Sequence, residues 1–450
     1  MVAVALPRIV VAAPGSGHGK TTVATGLMAA LAARGLTVSG HKVGPDFIDP
    51  GYHALATGRP GRNLDPFLVG EGRIVPLLLH GARSADVAVI EGVMGLFDGR
   101  LGTAGEASTA HVATLTKSPV LLVVDISHAA RTHAAAIAGM AAFDPSVRIA
   151  GVILNKAGSA RHADEVRDAL ASTGIPVLGV LPRDDGIETP SRHLGLVPAA
   201  ERAESGQTLK RMADVIAVHV DIDAVLGLAR AAAALPEPRW DPTREVQPPS
   251  PGRRVVAIAG GRAFTFRYAE TEELLRAAGC DVVEFDPLVD ATLPAGTAGI
   301  YLGGGFPEVH AAELAGNRCL TAELRSAIAS GVPTVAECAG LLYLCRSLDG
   351  TPMVGAVPAD AAMTPRLTLG YRTAASPADS VLAEKGTKVT GHEFHRTKTS
   401  AAQGRPAWQL PAGPDGFGTP TLHAAYLHTH WAGYPALAQR FARAVHNLSA

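Results

Sequence analysis

The chain has 450 residues, of which 47% are hydrophobic and 18% charged, so it is too long for one ordinary core and too apolar for a disordered protein. Its 40 basic and 41 acidic residues leave a formal net charge of −1, which argues against a nucleic-acid partner held by bulk charge. The four cysteines form no C-x-x-C pair, and no apolar run is long enough to span a membrane. We therefore expect two domains in a reduced, cytoplasmic setting.

Two α/β domains are predicted on either side of a proline-rich segment. Residues 8–230 alternate short apolar runs with alanine- and leucine-rich stretches, a pattern typical of a mostly parallel sheet covered by helices on both faces. Residues 235–252 contain six prolines and no helical period, which predicts a linker. A second alternating series begins at Arg254. The predicted domains are therefore 1–234 and 253–450.

A glycine-rich loop at residues 15–22 lies between the first predicted strand and the first predicted helix. Such a loop binds phosphates through its backbone N–H groups, its lysine and the start of the helix. Pro14 replaces the first glycine of the usual P-loop pattern, so the loop is a variant. Asn155 follows a later apolar strand, where it either reads the edge of an adenine or caps a helix. The predicted nucleotide-binding residues are Gly15, Gly17, Gly19, Lys20, Thr21, Thr22 and Asn155.

Three carboxylates are predicted beside this loop. Glu91 ends an apolar run, and the carboxyl ends of strands are where α/β sheets hold Mg²⁺. Asp46 and Asp49 lie in a proline-containing loop. The alternative interpretation of this loop is a solvated turn without a function. Because three carboxylates near a triphosphate need divalent cations, we predict Thr21, Asp46 and Glu91 as Mg²⁺ ligands. Asp46 and Asp49 are also predicted to contact a reacting carboxylate.

A second candidate site surrounds Cys338. An apolar run precedes this thiol, and small residues that open a helix follow it, as at a nucleophile that ends a strand. We predict that the start of the helix lowers the pKa of the thiol, and that the N–H groups of Ala339 and Gly304 stabilise an oxyanion. The alternative is an inert buried cysteine, which suits the other three cysteines better. These are Cys280, Cys319 and Cys345.

The thiol needs a base from later in the chain. His428 ends a short apolar run, and His430 follows two residues later. We predict His428 as the base and His430 as the group that orients it, although the two roles could be exchanged. His392 and His395 are the other candidates.

Taken together, these segments resemble the cobyrinic acid a,c-diamide synthase family, which includes the hydrogenobyrinic acid a,c-diamide synthases of the aerobic route. The resemblance implies an N-terminal P-loop domain like dethiobiotin synthetase and a C-terminal class I (triad) glutamine amidotransferase domain. The sister family, cobyric acid synthase, usually has a different loop at residues 42–50. The matching segments are 14–22, 42–50, 89–98, 192–197, 302–308, 336–340, 391–397 and 426–431.

The implied reaction is ATP- and Mg²⁺-dependent amidation of the a and c acetate carboxylates of cobyrinic or hydrogenobyrinic acid in cobalamin biosynthesis, with ammonia from glutamine. The implied partners are glutamine, ATP and the corrinoid acid, with a homodimer by analogy. His53, residues 108–111 and residues 192–193 are candidate contacts to the ring. The alternatives are a related synthase that acts on sirohydrochlorin or the cobyrinic diamide, and a deviant P-loop regulatory ATPase.

Overall fold

A computed structural model describes residues 3–183, 191–192, 195–196, 205–236, 238–400 and 404–448. The chain divides into two compact units, Met1–Trp240 and Asp241–Ala450. Inside the predicted linker, Leu235 and Pro236 pair with the strand at Ala3–Val4. Further on, the backbone N–H of Gln247 donates to Oε1 of Gln439 in the second unit, at 2.8 Å. Each end of the proline-rich segment is therefore packed on a unit.

The first unit alternates strands and helices, as the apolar pattern predicts. Its strands are β1 Ala3–Val4, β2 Arg8–Ala12, β3 Val38–Val43, β4 Arg62–Leu64, β5 Val87–Glu91, β6 Val120–Asp125, β7 Ile149–Ala157, β8 Val177–Pro182, β9 Ser191–Arg192, β10 Gly195–Leu196 and β11 Leu235–Pro236. Its helices are α1 Lys20–Ala33, α2 Asp49–Thr57, α3 Pro66–Val69, α4 Glu71–Gly81, α5 Thr109–Leu115, α6 Arg131–Phe143, α7 Ala160–Ala171, α8 Ser205–His219 and α9 Ile222–Arg230.

A seven-stranded parallel sheet in the order β4-β3-β5-β2-β6-β7-β8 forms the centre of this unit. Every residue of β2, β3 and β5 is buried, which accounts for the nearly continuous apolar sequences of β2 and β5. These three strands are neighbours, so the loops that follow them meet at one edge of the sheet. That edge receives the glycine-rich loop, the loop with Asp46, and Glu91.

The second unit begins with a short helix and continues as another α/β structure. Its strands are β12 Arg254–Ala259, β13 Cys280–Phe285, β14 Thr297–Leu302, β15 Thr334–Glu337, β16 Ser347–Leu348, β17 Thr351–Pro352, β18 Asp360–Ala375, β19 Lys388–Thr399, β20 Trp408–Leu410, β21 Gly413–Asp415, β22 Phe417–Gly418 and β23 Leu422–Ala425. Its helices are α10 Pro242–Glu245, α11 Ala269–Ala277, α12 Ala311–Gly316, α13 Arg318–Ala329, α14 Ala339–Leu344 and α15 Pro435–Asn447.

The main sheet of this unit has the order β13-β12-β14-β15-β23-β22, and only β22 runs antiparallel to its neighbour. Since β14, β15 and β23 are adjacent and parallel, their carboxyl ends bring the run 303–305, Cys338 and His428 to one edge. A second sheet contains the long hairpin of β18 and β19, which the sequence analysis does not predict. Across the described residues of both units, no helix is long and apolar enough to cross a bilayer.

Candidate active sites

The glycine-rich loop has the backbone conformation that its glycines permit. Gly17 and Gly19 have φ values of 84° and 91°, in the left-handed region. A side chain on Gly19 would also collide with the amide of Asn155. Lys20 opens α1, is 8% exposed, and donates from Nζ to the carbonyl of Gly15 at 2.9 Å. Burial, and then the nearby charge of Lys42, lower the pKa of Lys20 to about 8, so its charge depends on what binds there.

Asn155 holds the loop in place. Its Nδ2 donates to the carbonyl of His18 at 2.9 Å, and its Oδ1 accepts the N–H of Lys156 at 2.9 Å. Both ends of the amide group are therefore engaged within the protein. These contacts make Asn155 a brace for the loop, and its role in reading an adenine stays a prediction.

A buried cluster of charges lies behind the loop, around the fully buried Glu91. One carboxylate oxygen accepts from Thr21 Oγ1 at 2.6 Å and from Lys42 Nζ at 2.9 Å, and the other contacts Nε2 of His53 at 2.6 Å. Lys42 Nζ also donates to Asp49 at 2.6 Å, so one ammonium bridges two carboxylates. Although burial acts to raise it, the pKa of Glu91 is lowered, because Lys42, His53 and Thr21 all stabilise the charged form. Glu91 is therefore ionised.

The acid nearest Thr21 besides Glu91 is Asp49, with Oδ2 at 3.3 Å from Thr21 Oγ1. Asp46 instead uses Oδ1 to accept the N–H groups of Ile48 and Asp49, at 2.9 and 3.0 Å, and so fixes the start of α2. The side-chain oxygens that converge are thus those of Thr21, Asp49 and Glu91, and the set of Thr21, Asp46 and Glu91 as Mg²⁺ ligands stays a prediction. Among the described residues, no three His, Cys, Asp or Glu side chains are grouped to hold a metal by themselves.

The residues predicted as ring contacts in this unit have structural partners. His53 is fully buried, and its Nε2 is bonded to Glu91. In the stretch 108–111, the hydroxyl of Ser108 caps α5, and that of Thr109 bonds the preceding loop. Ser108 and Thr109 are each 1% exposed, so neither reaches a ligand on the surface. The side chain of Arg192 and all of His193 lie outside the described residues.

The thiol site is a sharp turn between β15 and α14. Cys338 has a φ of 49°, a left-handed conformation that costs a non-glycine residue about 1–3 kcal/mol. Its N–H donates to the carbonyl of Ala425 on the neighbouring β23 at 2.7 Å. Gly340, two residues after Cys338, donates its N–H to the carbonyl of Gly303 at 3.0 Å. A side chain on Gly340 would collide with Leu302. The backbone therefore holds the sulfur in one place.

The pKa of the Cys338 thiol is raised, which contradicts the predicted lowering. Burial is the main cause, and the carboxylate of Glu308 adds to it. The N–H of Ala339 bonds the sulfur and opposes both, but α14 has only six residues and a correspondingly short dipole. The resting site therefore holds a neutral thiol, which must transfer its proton to a base before it attacks.

His428 is at the same edge of the sheet and is 3% exposed. Its ring centroid lies 4.7 Å from that of Phe266, and a methyl group on Gly304 would lie only 2.8 Å from its Cε1. Its backbone exchanges two hydrogen bonds of 3.0 Å with His392 of β19, so the hairpin fixes the loop that carries the ring. Its Nδ1 is 3.9 Å from Oε2 of Glu337.

His430 faces a different acid. Its ring is fully buried and stacks on Tyr268 with centroids 4.0 Å apart, and its Nε2 lies 3.8 Å from Glu270. The carboxylate beside His428 belongs to Glu337, and the orienting role of His430 stays a prediction. Glu337 is not among the residues predicted from the sequence, where its one signal is a charged residue that ends a buried apolar strand directly before the thiol.

The predicted oxyanion donor Gly304 is also corrected. Its N–H is donated to the carbonyl of Phe266 at 2.9 Å, so that group is already engaged. Glycine is required at this position because any larger residue would meet both Phe266 and His428. His395, another candidate base, stacks on Tyr426 with centroids 3.9 Å apart and bonds the carbonyl of Thr397 at 2.9 Å.

Comparison with known proteins identifies both units. Residues 9–197 match the CobQ/CobB/MinD/ParA nucleotide binding domain, and residues 255–436 match the CobB/CobQ-like glutamine amidotransferase domain. The protein is therefore an ATP-using synthetase fused to a glutamine amidotransferase. The predicted fold and enzyme class, a glutamine-hydrolysing carbon–nitrogen ligase, are confirmed.

Full-length relatives narrow the class further. The chain is 61% identical to hydrogenobyrinate a,c-diamide synthase of Thermobifida fusca over 98% of both chains, and 54% identical to that of Streptomyces coelicolor over 97% of both. It is 43% identical to cobyrinate a,c-diamide synthase of a Synechococcus strain, over 98% of this chain and 99% of the relative. The chain belongs to the a,c-diamide synthase family.

Proposed function

We propose that this chain converts the a and c acetate carboxylates of hydrogenobyrinic acid into amides, with nitrogen from glutamine and energy from ATP. The observation that carries this choice of substrate is the level of identity to its relatives. It is 61% and 54% for two synthases named for the cobalt-free acid and 43% for one named for the cobalt-containing acid. Cobyrinic acid is the second candidate.

The buried charge cluster supports activation of the carboxylate by ATP. A carboxylate is a poor electrophile, and transfer of the γ-phosphoryl group to it gives an acyl phosphate that ammonia attacks with loss of phosphate. Lys20 would offset the negative charge of the phosphates. Lys42 donates hydrogen bonds to both Asp49 and Glu91 and holds these two side chains close together.

Thr21, Asp49 and Glu91 fit Mg²⁺, because they offer the hard oxygen donors that this ion prefers. Mg²⁺ is usually held by one or two carboxylates together with substrate phosphates, so a cluster of three protein acids is not required. When bound, it would supply positive charge to the phosphate oxygens. This assignment, like that of the nucleotide-binding residues of the loop, is a proposal.

The second unit supports hydrolysis of glutamine. In this reaction the sulfur of Cys338 attacks the amide carbon while His428 takes the thiol proton. The N–H of Ala339, which bonds the sulfur, would also donate to the oxyanion. His428 returns the proton to the departing ammonia, and water then hydrolyses the glutamyl thioester and restores the thiol. The raised pKa of the thiol makes the base indispensable.

The test is mass spectrometry of the product after incubation of the full chain with ATP, Mg²⁺, amide-¹⁵N-glutamine and hydrogenobyrinic acid. We expect a diamide with label in both amide groups, and slower conversion of cobyrinic acid in a parallel reaction. Amidation of sirohydrochlorin or of the a,c-diamide, with hydrogenobyrinic acid left unchanged, would contradict the proposal.

Three further predictions remain proposals. The domain bounds are 1–234 and 253–450 with the linker at 235–252, the protein is a homodimer, and it acts in the cytoplasm. Light scattering on the purified chain tests the homodimer directly, and a monomer mass would contradict it.

A further inference from the structure

Glu337 is a buried acid directly before the nucleophile. It is 3% exposed, and its Oε1 accepts the backbone N–H of Thr429 at 3.2 Å and the hydroxyl of Thr429 at 2.9 Å. Because that hydroxyl accepts from Trp431 Nε1 at 3.2 Å, its own hydrogen is directed to Glu337. Oε2 accepts the hydroxyl of Tyr301 at 3.0 Å. Three donors therefore hold the carboxylate at a fixed position.

The remaining side of this carboxylate faces the base. A carboxylate has about four lone-pair sites, and three are taken by the donors from Thr429 and Tyr301. Oε2 also lies 3.9 Å from Nδ1 of His428, which is an ion-pair distance rather than a hydrogen bond. Catalytic hydrogen bonds are often long in the free enzyme and shorten when the substrate binds. With Nδ1 toward the acid, Nε2 is the nitrogen left to take the thiol proton.

The charge of Glu337 has opposite effects on the two catalytic groups. It works against a resting thiolate at Cys338, since it is among the groups that raise the pKa of that thiol. It would stabilise the positive charge that His428 gains when the thiol proton moves to it. Burying a charged carboxylate costs several kcal/mol of free energy unless a nearby positive charge or hydrogen bonds compensate it. A reaction step in which the His428 ring is positive explains why Glu337 lies here.

We propose that Glu337 is the positioning residue of the glutaminase site, which holds His428 in the orientation and tautomer that accept the thiol proton and stabilises the imidazolium that results. The triad of this chain is then Cys338, His428 and Glu337, with acid and nucleophile adjacent in sequence. This inference rests on the proposed glutaminase reaction.

Other ionisable groups nearby do not occupy this place. Glu270 is paired with His430, at 3.8 Å. The carboxylates of Glu308 and Asp415 raise the pKa of the Cys338 thiol. Asp415 also accepts the backbone N–H groups of Tyr426 and Leu427, which precede His428. His392 lies beside His428, and burial lowers its pKa to about 3, so it is neutral and does not serve as a counter-charge.

The test is Glu337→Gln in the full chain, assayed for glutamine hydrolysis as a function of pH. The amide keeps the size of the side chain and an acceptor for Thr429, but removes the charge. We expect kcat to fall about 100-fold or more, as for the loss of an orienting acid in other triads, with KM for glutamine changed less than about threefold. We expect the acid limb of kcat/KM to move to lower pH, because the imidazolium loses its counter-charge.

Two matched variants separate positioning from folding. Tyr301→Phe removes a donor to the same oxygen but keeps the charge, so we expect a loss below about tenfold and an acid limb at the wild-type pH. Glu337→Asp withdraws the charge by one methylene, so we expect a lower kcat with the acid limb retained, and this variant decides the question if Glu337→Gln does not fold.

Several results would overturn the inference. They are a kcat within about threefold of wild type in Glu337→Gln, an equal loss in Tyr301→Phe, or an acid limb that moves in Glu337→Asp as far as in Glu337→Gln. If Cys338→Ala abolishes glutamine hydrolysis while Glu337→Gln does not, the positioning role fails and the proposed function stands. If Cys338→Ala retains glutamine hydrolysis, the proposed function itself fails.

Discussion

Replacement of Gly304 by alanine should disable glutamine hydrolysis although neither catalytic side chain is replaced. The added methyl carbon would lie 2.8 Å from Cε1 of His428 and 2.7 Å from a ring carbon of Phe266. Carbon atoms normally approach to about 3.5–4.0 Å, so the imidazole must move by about 0.7–1.2 Å. A misplacement of that size costs about 100-fold in rate. We therefore expect kcat for glutamine hydrolysis to fall by about this factor, and the overpacked site to lose about 1–3 kcal/mol of stability.

The assay compares the glutamine-dependent and ammonium-dependent rates of amide formation in the same preparation. The ammonium-dependent rate should stay at the wild-type value, since it requires neither the thiol nor the base. Gly316→Ala is the matched control, because a methyl group there would meet nothing within 4 Å, and it should leave both rates unchanged. A Gly304→Ala variant that hydrolyses glutamine at the wild-type rate would show that the close contact with His428 does not set the position of the base.

The remaining predictions concern the nucleotide unit. Lys42→Met should abolish ATP-dependent amide formation and lower the free energy of unfolding by about 3–5 kcal/mol, because it leaves Asp49 and Glu91 buried without their ammonium. A urea unfolding curve like that of wild type would contradict this. Burial, and then the charge of Lys42, lower the pKa of Lys20 to about 8, and bound phosphate should raise this pKa again. ATP binding at pH 8 should therefore take up about half a proton and weaken above that pH. Calorimetry in two buffers of different ionisation enthalpy tests this, and binding heats that do not depend on the buffer would refute it. If Asn155 braces the loop, Asn155→Ala should weaken ATP and GTP binding by the same factor. A selective loss of ATP binding in a titration would instead show that Asn155 reads the adenine.

Much of the architecture could be predicted because it is written in local patterns. Strands such as β2 and β15 are nearly continuous apolar runs, and the glycine-rich loop and the thiol each follow such a strand directly. The hairpin of β18 and β19 escaped prediction because many of its residues are half exposed and its long strands lack a clean alternation. Its role depends on a single backbone pairing, between His392 and His428, that no local pattern reveals.

The side-chain partners could not be predicted, because they depend on which strands are neighbours. Lys42 reaches Glu91 since β3 and β5 pair in register, and Glu337 reaches Thr429 and His428 since β15 and β23 are adjacent. The prediction that the pKa of the Cys338 thiol is lowered was wrong for a related reason. The start of a helix is visible in sequence, whereas the complete burial that outweighs it is not.

The central claim is that the two units carry separate half-reactions, with Cys338 needed to release nitrogen and Glu91 needed to activate the carboxylate. The most direct measurement is amide formation by Cys338→Ala and Glu91→Gln, each supplied in turn with glutamine and with an ammonium salt, together with glutamate release. We expect Cys338→Ala to form amides from ammonium only, and Glu91→Gln to form none from either source while it still releases glutamate. Loss of both nitrogen sources in Cys338→Ala, in a chain that still melts like wild type, would contradict this division of roles.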